Sequence, residues 1–341
     1  MLHVNHSEQI ILVGAGATGR FVVRDMIAVG APPVAIADND PKKQGTEFEG
    51  IKILSPEECK HAYPDAEWIA SVMHEKHEPE ILAQIKAMGV KTSSFWDFIP
   101  NRDAKIPENA VRTIEEIAGD HETLLEIQDQ QRFRRHRNHK MQRPATPLSE
   151  LYFPDFIVKR DDEVLCDCGS ADGDTIEEFL KRWPSYRWIY AFEPDAGNFN
   201  KLFAKYLNEP KNMTIRMAAV SDYEGEASFT STGDYSAHLD PKGKTGINVT
   251  TLDSSFGCVI PTFIKFDIEG AELHALWGGK NIIQKHSPVL AVCAYHTADH
   301  LWQIPLLIHA LNPKYKLYLR RYRPGSWEHL WYAVIPERKQ L

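Results

Sequence analysis

No apolar run in this chain approaches the ~20 residues that a helix needs to cross a bilayer. The opening residues MLHVNHSEQIILVG place no basic stretch ahead of their apolar segment, which runs straight into a glycine turn. They read as a first strand rather than a secretory leader. Cysteine is scarce: five residues, an odd number without framework spacing, point to reduced thiols in a cytoplasm and away from a disulfide scaffold. Cys166 and Cys168 form a C-x-C, but no second pair follows nearby to complete a zinc site. Positive charge is not in excess. The 39 Lys and Arg against 47 Asp and Glu leave a net charge of −8, which argues against nucleic acid as the main partner. No repeat of short fixed period is present, and the first half lacks a Tyr-x-x-x-Lys pair that would mark an oxidoreductase. What remains is the composition of a soluble globular protein, 43% hydrophobic and 25% charged, in 341 residues that suffice for two domains.

One pattern occurs twice. QIILVGAGATGRFVVRDMIAVG is followed by VAIADND, and EVLCDCGSADGDTIEEFLKRW by WIYAFEP. Each is an apolar strand, a glycine turn, an amphipathic helix and a second strand that ends on an acid. That is the start of an open parallel α/β sheet. Residues 67–100 extend the first sheet by a strand, a helix over 79–88 and a short strand over 91–95. From about 106 to 141 the chain turns helical and charged, with Glu115, Glu116, Asp120 and Glu122 early and Arg132, Arg134, Arg135, Arg137 and Lys140 late. That order complements the helix dipole. The basic end is either a phosphate patch or the solvated end of a connector; with Phe133 the one aromatic among the charges, the second reading is favoured. Arg143-Pro144-Ala145-Thr146-Pro147 then breaks the helix. The expectation is an α/β protein with two Rossmann-like parallel-sheet domains, residues 1–105 and 151–341, joined by a helical connector over 106–150.

The first turn, with Gly14, Gly16 and Gly19, is a full G-x-G-x-x-G between strand and helix, and an acid, Asp38, follows about twenty residues on. That context suits NAD or another nucleotide. The stretch DNDPKKQGTEFEGIKIL resembles the Rossmann-like N-terminal domains of proteins that handle nucleotide-activated sugars. A docking or homo-oligomerisation role stays open beside it.

The second turn differs. Asp167, Gly169 and Gly173 form D-x-G-x-x-x-G, with Asp172 and Asp174 beside them. A pyrophosphate wants bare backbone at a helix N-terminus, whereas these carboxylates suit the ammonium and sulfonium of S-adenosylmethionine. Glu193, at the tip of the next strand, is placed to accept both ribose hydroxyls. Residues 214–220 read as a third strand that delivers Ser221 and Asp222 towards an adenine. Each acid alone could be a helix cap or turn residue, as Asp174 is well placed to be. A fourth strand over 262–268 carries Lys265 and Asp267 on one face. Lys265 is either a structural ion-pair partner or an orienter of the acceptor. Asp267 and Glu269 could ligate a metal or cap a helix. A fifth strand over 289–295 ends at His296, whose ordinary pKa of ~6.5 suits a base near neutral pH. Two final β-like runs, YKLYLRRY and LWYAVI, read as an antiparallel hairpin closing the sheet, which a plain dinucleotide domain does not need.

In order, VLCDCGSADGDT, YAFEPD, AAVSD, TLDS, IKFDIEGAE, AYHTADHLWQIPLLI and YKLYLRRY resemble the FkbM-type S-adenosylmethionine-dependent methyltransferases, over roughly residues 151–335. The resemblance implies a class I methyltransferase fold and O-methylation of a hydroxyl on a sugar or natural-product-like small molecule. It places Asp167, Gly169 and Gly173 in the cofactor loop, Glu193 at the ribose, and Asp267, Glu269 and His296 near the reaction centre. Cys168 departs from the aliphatic residue usual there. Two further readings remain: an NAD-dependent oxidoreductase or sugar-nucleotide enzyme working through the first domain, and a non-catalytic nucleotide-sensing module. The polar stretch over 231–246 is either part of an acceptor pocket or a solvent loop.

Overall fold

Short apolar runs bounded by glycine turns set the architecture, and a computed structural model describes residues 9–28, 30–72, 77–97, 105–208, 212–230, 238–239 and 245–340. The chain divides into two units, one of residues 1–104 with 132–142, the other of residues 105–131 with 143–341.

In the first unit, β1 (Ile10–Val13) leads through α1 (Ala17–Ala28) to β2 (Ala35–Ala37), then to β3 (Glu47–Phe48) and β4 (Ile51–Leu54). Next come α2 (Pro56–Ala62), β5 (Glu67–Ala70), α3 (Glu78–Ala87) and β6 (Lys91–Ser94). Ser55 and Glu58 form a reciprocal capping box that starts α2. The sheet runs β3-β4-β2-β1-β5-β6, parallel except for the β3–β4 ladder. Strand order therefore reverses between β1 and β5, and the glycine turn leaves β1 at that switch point.

The charged helical run is two helices, α4 (Glu108–Ile117) and α5 (His121–His136). Between them Ala118 bridges to Leu317, and the Gly119 N–H donates to the Leu317 carbonyl at 2.7 Å. A Cβ on Gly119 would lie 2.2 Å from the Tyr318 ring, so no larger residue fits there. Asp120 starts α5 by accepting from the Thr123 N–H at 3.0 Å. The stripe Ala110, Ile114 and Ile117 of α4 is buried, and Ile114 and Ile117 join one core with Ile304 and Ile308. Residues 105–131 are thus structurally part of the second unit.

That unit continues with β7 (Val164–Cys168), α6 (Asp174–Arg182), β8 (Trp188–Phe192), α7 (Ala196–Lys205) and β9 (Met213–Arg216). Here the chain departs from the expected single strand over 214–220. It leaves the ladder at Met217 and Ala218 and enters a small four-stranded sheet of β10 (Ala219–Val220), β11 (Gly225–Thr230), β12 (His238–Leu239) and β13 (Thr245–Thr250). Then follow α8 (Leu252–Ser255), β14 (Phe263–Phe266), α9 (Glu272–Gly278), α10 (Lys280–His286), β15 (Val289–Cys293), α11 (His300–Leu311), β16 (Lys316–Arg321) and β17 (His329–Val334).

The main sheet runs β16-β17-β15-β14-β7-β8-β9. β17 is antiparallel to both β15 and β16, and the other ladders are parallel, as the terminal hairpin predicts. β7, β14, β15 and β17 are buried throughout, which explains their near-continuous apolar runs. Alternate residues feed two cores. Cys166, Ile264 and Leu290 meet α4 and α11 on one face, whereas Leu165, Phe263 and Val289 meet Phe153, Phe179 and Trp183 on the other. Strand order reverses between β7 and β14.

Candidate functional site

The loop leaving β7 is fixed by its own backbone. The N–H groups of Gly169 and Ser170 both donate to the Phe192 carbonyl at 3.0 Å, and the Ser170 hydroxyl donates to the Asp167 carbonyl at 2.9 Å. Gly169 has φ +83°, and a Cβ there would lie 1.9 Å from the Asp267 carbonyl oxygen. This glycine therefore lets two neighbouring strand ends approach each other. Gly173, also at positive φ, caps α6. Asp174 is exposed and accepts from the Thr175 N–H at 2.6 Å, so it is a helix-start residue. Glu193 is buried and grips the loop: one oxygen accepts the Ala171 N–H at 2.8 Å and the other the Asp195 N–H at 2.9 Å. Burial raises its pKa, with the two amides opposing.

Across the β7–β14 ladder Lys265 lies in register with Asp167, and the ammonium sits 3.0 Å from Asp167 Oδ1. It also donates to the Gly169 carbonyl at 2.7 Å. Burial opposes the charge on Lys265, but Asp167 and Asp267 outweigh it and raise its pKa. Burial raises Asp167 too, with Lys265 pulling the other way. Despite the nearby ammonium, neither Asp167 carboxylate oxygen has an aligned hydrogen-bond donor, nor does the buried Oδ1 of Asp172.

The row of strand ends continues at Asp267, just beyond β14. The hydroxyl of Tyr152 donates to its Oδ2 at 2.7 Å and that of Tyr295 to its Oδ1 at 3.0 Å. Just beyond β15, His296 donates from Nδ1 to Glu272 at 2.7 Å and turns Nε2 towards Asp267 Oδ1 at 3.3 Å and Glu269 Oε2 at 3.7 Å. Glu272 is itself held by the Ile268 N–H at 3.1 Å and lies 3.2 Å from His300. Burial works against charge on Asp267, yet His296, Lys265 and the Tyr152 hydroxyl hold it far below the usual carboxylate range. Glu272, similarly buried but facing two histidines, is lowered to about 2. Burial would lower His296, but Glu272 and Glu269 raise it well above the ordinary histidine value. Three carboxylates thus surround this imidazole.

This geometry agrees with what the chain resembles. Residues 167–321 match the family model described as the methyltransferase FkbM domain. This stretch is an FkbM methyltransferase domain. A solved methyltransferase FkbM from Methylobacillus flagellatus KT aligns with a TM-score of 0.70 at 20% identity, covering 96% of this chain and 90% of that one. An rRNA methylase from Streptococcus thermophilus aligns at TM-score 0.34 and 11% identity, over 55% of this chain and 91% of its own. A precorrin-6y C5,15-methyltransferase from Geobacter metallireducens GS-15 does so at TM-score 0.32 and 14% identity, over 52% and 82%. No curated protein matches.

Within the FkbM domain the structure brings Asp167, Gly169, Asp172, Gly173 and Glu193 to one loop, and Lys265, Asp267 and His296 to the adjoining strand ends. Ser221 and Asp222 are placed differently from expectation. They follow β10 in the small sheet, not the third strand of the main one, and Asp222 lies 3.1 Å from Nδ1 of His274. Most of the polar stretch 231–246 lies outside the described residues. Sequence reasoning missed Tyr152, which precedes the first strand and carries no motif. It also gave no role to Tyr295, Glu272 or His300. The only legible signal was their proximity in sequence to Asp267 and His296.

In the first unit Gly14, Gly16 and Gly19 divide the work. A Cβ on Gly19 would lie 1.8 Å from the Gly14 carbonyl, so helix and strand meet there. A Cβ on Gly16 would meet nothing within 4 Å. Asp38 is buried and occupied: Oδ2 accepts from the Ala15 N–H at 2.7 Å and from Lys43 at 3.0 Å, and Oδ1 from the Asp40 N–H at 2.9 Å. Burial opposes, but these donors lower its pKa. Asp38 and Glu193 thus make the same pair of contacts, one to the glycine loop and one two residues ahead.

Proposed function

We propose that the FkbM domain binds S-adenosylmethionine and methylates a hydroxyl of a small acceptor, a sugar or a natural-product-like compound. One observation carries this reading. In the turn at the switch point the buried Oδ1 of Asp172 stands without a hydrogen-bond donor, whereas Asp167 already has the Lys265 ammonium at 3.0 Å. A buried acceptor left unpaired is costly. A cationic amino group satisfies it, whereas a phosphate would be repelled. Glu193 spends one lone pair of each oxygen on the loop, and the others remain suited to a ribose diol.

The cofactor supplies an electrophilic methyl group, and the chain supplies position. Tyr152 and Tyr295 fix Asp267, and Asp267 with His296 orients the acceptor hydroxyl. Alignment of this kind contributes ~7–11 kcal/mol at best. A base contribution of ~10²–10⁴-fold from His296 would require loss of the proton that its carboxylate neighbours favour, so we assign it an orienting role. Lys265 holds the Gly169 loop and acts on the reaction through that loop. All five cysteines are free, and among the described residues no helix is long and apolar enough to cross a membrane. With a net charge of −8, we infer a cytoplasmic enzyme of small molecules rather than nucleic acid.

Calorimetry on the full chain tests the reading. S-adenosylmethionine should bind, and Asp172→Asn should weaken it about tenfold, or ~1.4 kcal/mol, with the fold intact. Binding of NAD alone, or unchanged affinity in Asp172→Asn, would sink it.

A second reading concerns the first unit, where the open space over Gly16 is the approach that a pyrophosphate requires. We propose that this turn receives NAD or a nucleotide-sugar. Gly16→Val should then abolish NAD or nucleotide binding and leave S-adenosylmethionine affinity unchanged.

A further inference from the structure

Asp267, Glu269 and His296 each offer one ligand atom, and these atoms all lie within 4.8 Å of one another. An ordinary buried ion pair would account for two of them; the third and its orientation need another reason. His296 is the most informative. Its side chain is 6% exposed, and Nδ1 is committed to Glu272. Nε2 is therefore the position left, and it faces two carboxylates at 3.3 and 3.7 Å without an aligned hydrogen bond to either; a cation bound there replaces the Nε2 proton, which leaves to solvent. A carboxylate behind an imidazole is the arrangement that fixes the tautomer of a metal-bound histidine.

The carboxylates are prepared in the same way. The hydroxyls of Tyr152 and Tyr295 hold Asp267 before any ligand arrives. Glu269 sits at φ +54° and precedes Gly270 at φ +101°, a backbone that a residue with a Cβ adopts at a cost. The spacing is also informative. Neighbouring ligands of an octahedral ion with bonds of ~2.1 Å stand ~3 Å apart, close to the distances from Nε2 to Asp267 and Glu269.

We propose that Asp267, Glu269 and His296 bind one divalent cation of the Mn²⁺ class, which accepts mixed carboxylate and imidazole ligands, with Glu272 orienting His296. Three protein ligands leave part of an octahedron open for water or for substrate oxygens. Resting on the methyl-transfer reading, this narrows the acceptor to a compound that presents two neighbouring oxygens, such as a vicinal diol.

Mn²⁺ binding by the full-length protein tests the proposal, measured by calorimetry and by electron spin-echo spectroscopy without any turnover. The wild type should bind one Mn²⁺ with a ¹⁴N coupling from imidazole. Glu269→Gln should weaken binding tenfold or more while the circular dichroism stays unchanged; this side chain is 26% exposed and tolerates the change. His296→Asn should remove the ¹⁴N coupling, and if that variant does not fold, Glu269→Gln alone decides. No Mn²⁺ binding by the wild type, or equal affinity in Glu269→Gln, overturns the site. S-adenosylmethionine titrated into the same wild-type sample separates the two ideas. Mn²⁺ bound without S-adenosylmethionine keeps the metal site and refutes methyl transfer, and the reverse refutes only the metal.

Discussion

Gly16 and Gly169 occupy comparable places in the two glycine turns, yet substitution should separate them. Gly169→Ala drives a Cβ to within 1.9 Å of the Asp267 carbonyl at a positive φ, so strand β14 must move. Urea unfolding should show a loss of several kcal/mol, and any fall in cofactor affinity would follow from that. Gly16→Ala meets nothing and needs no unusual φ. Its stability should lie between unchanged and ~1 kcal/mol higher. A stable Gly169→Ala protein would contradict the close approach of the two strand ends. The acids follow the same logic: Asp174 caps a helix, Asp167 pairs with Lys265, and Asp172 keeps a buried oxygen without a donor, and only burial tells them apart.

Among the elements, α5 is tied into the sheet through one buried charge. Glu126 Oε1 accepts from Arg321 at 3.0 Å, from His329 at 3.1 Å and from Gln130 at 3.1 Å. Burial raises the Glu126 carboxyl, but His329 and Arg321 outweigh it and the net shift is downward. Burial lowers His329, with Glu126 opposing, so His329 stays neutral and Arg321 is the true counter-charge. Both folded pKa values lie below their ordinary values of 4.5 and 6.5, so both groups bind protons more tightly when unfolded. The contribution of this pair should therefore be full above pH 6.5 and fall on acidification, first through His329 and then, below pH 4.5, through Glu126. Glu126→Gln should be less stable at pH 7 and show a smaller loss below pH 4.5 than the wild type. Urea midpoints from pH 7 to pH 4 check this, and an equally steep acid loss in the variant would refute it. The terminal strands β16 and β17 were readable from turn chemistry and β-rich composition. The break between β9 and β10 was not, because the largely apolar stretch TIRMAAV suits either one long strand or two short ones.

At the scale of the whole molecule the division of the chain matters most. The proline-bearing break at residues 143–147 suggests a methyltransferase domain starting near 151. Yet Ile114, Ile117 and Ile127 share a core with Ile304 and Leu317, and Asp120 and Glu126 meet Arg320 and Arg321. A chain begun at residue 151 would expose that apolar face and strand two buried arginines; breaking one such pair costs about 3–5 kcal/mol. It should aggregate or unfold at a lower temperature than one begun at residue 105. Scanning calorimetry on the two truncations decides, and equal transitions would restore the simpler boundary. The linear order of apolar runs, glycine turns and strand-end acids was enough to establish two α/β sheets, the second one's carboxylate-bearing glycine turn and its closing hairpin, because each depends on neighbours within a few residues. Only the tertiary structure decided that α4 and residues 121–131 of α5 complete the second unit, that Lys265 pairs with Asp167, and that Tyr152, Glu272 and Glu269 converge on Asp267 and His296. Those depend on burial and on contacts between residues far apart in the chain, from 24 residues for Glu272 and His296 to 115 for Tyr152 and Asp267 and 200 for Asp120 and Arg320, where local pattern carries no information and packing alone sets the charge of each group.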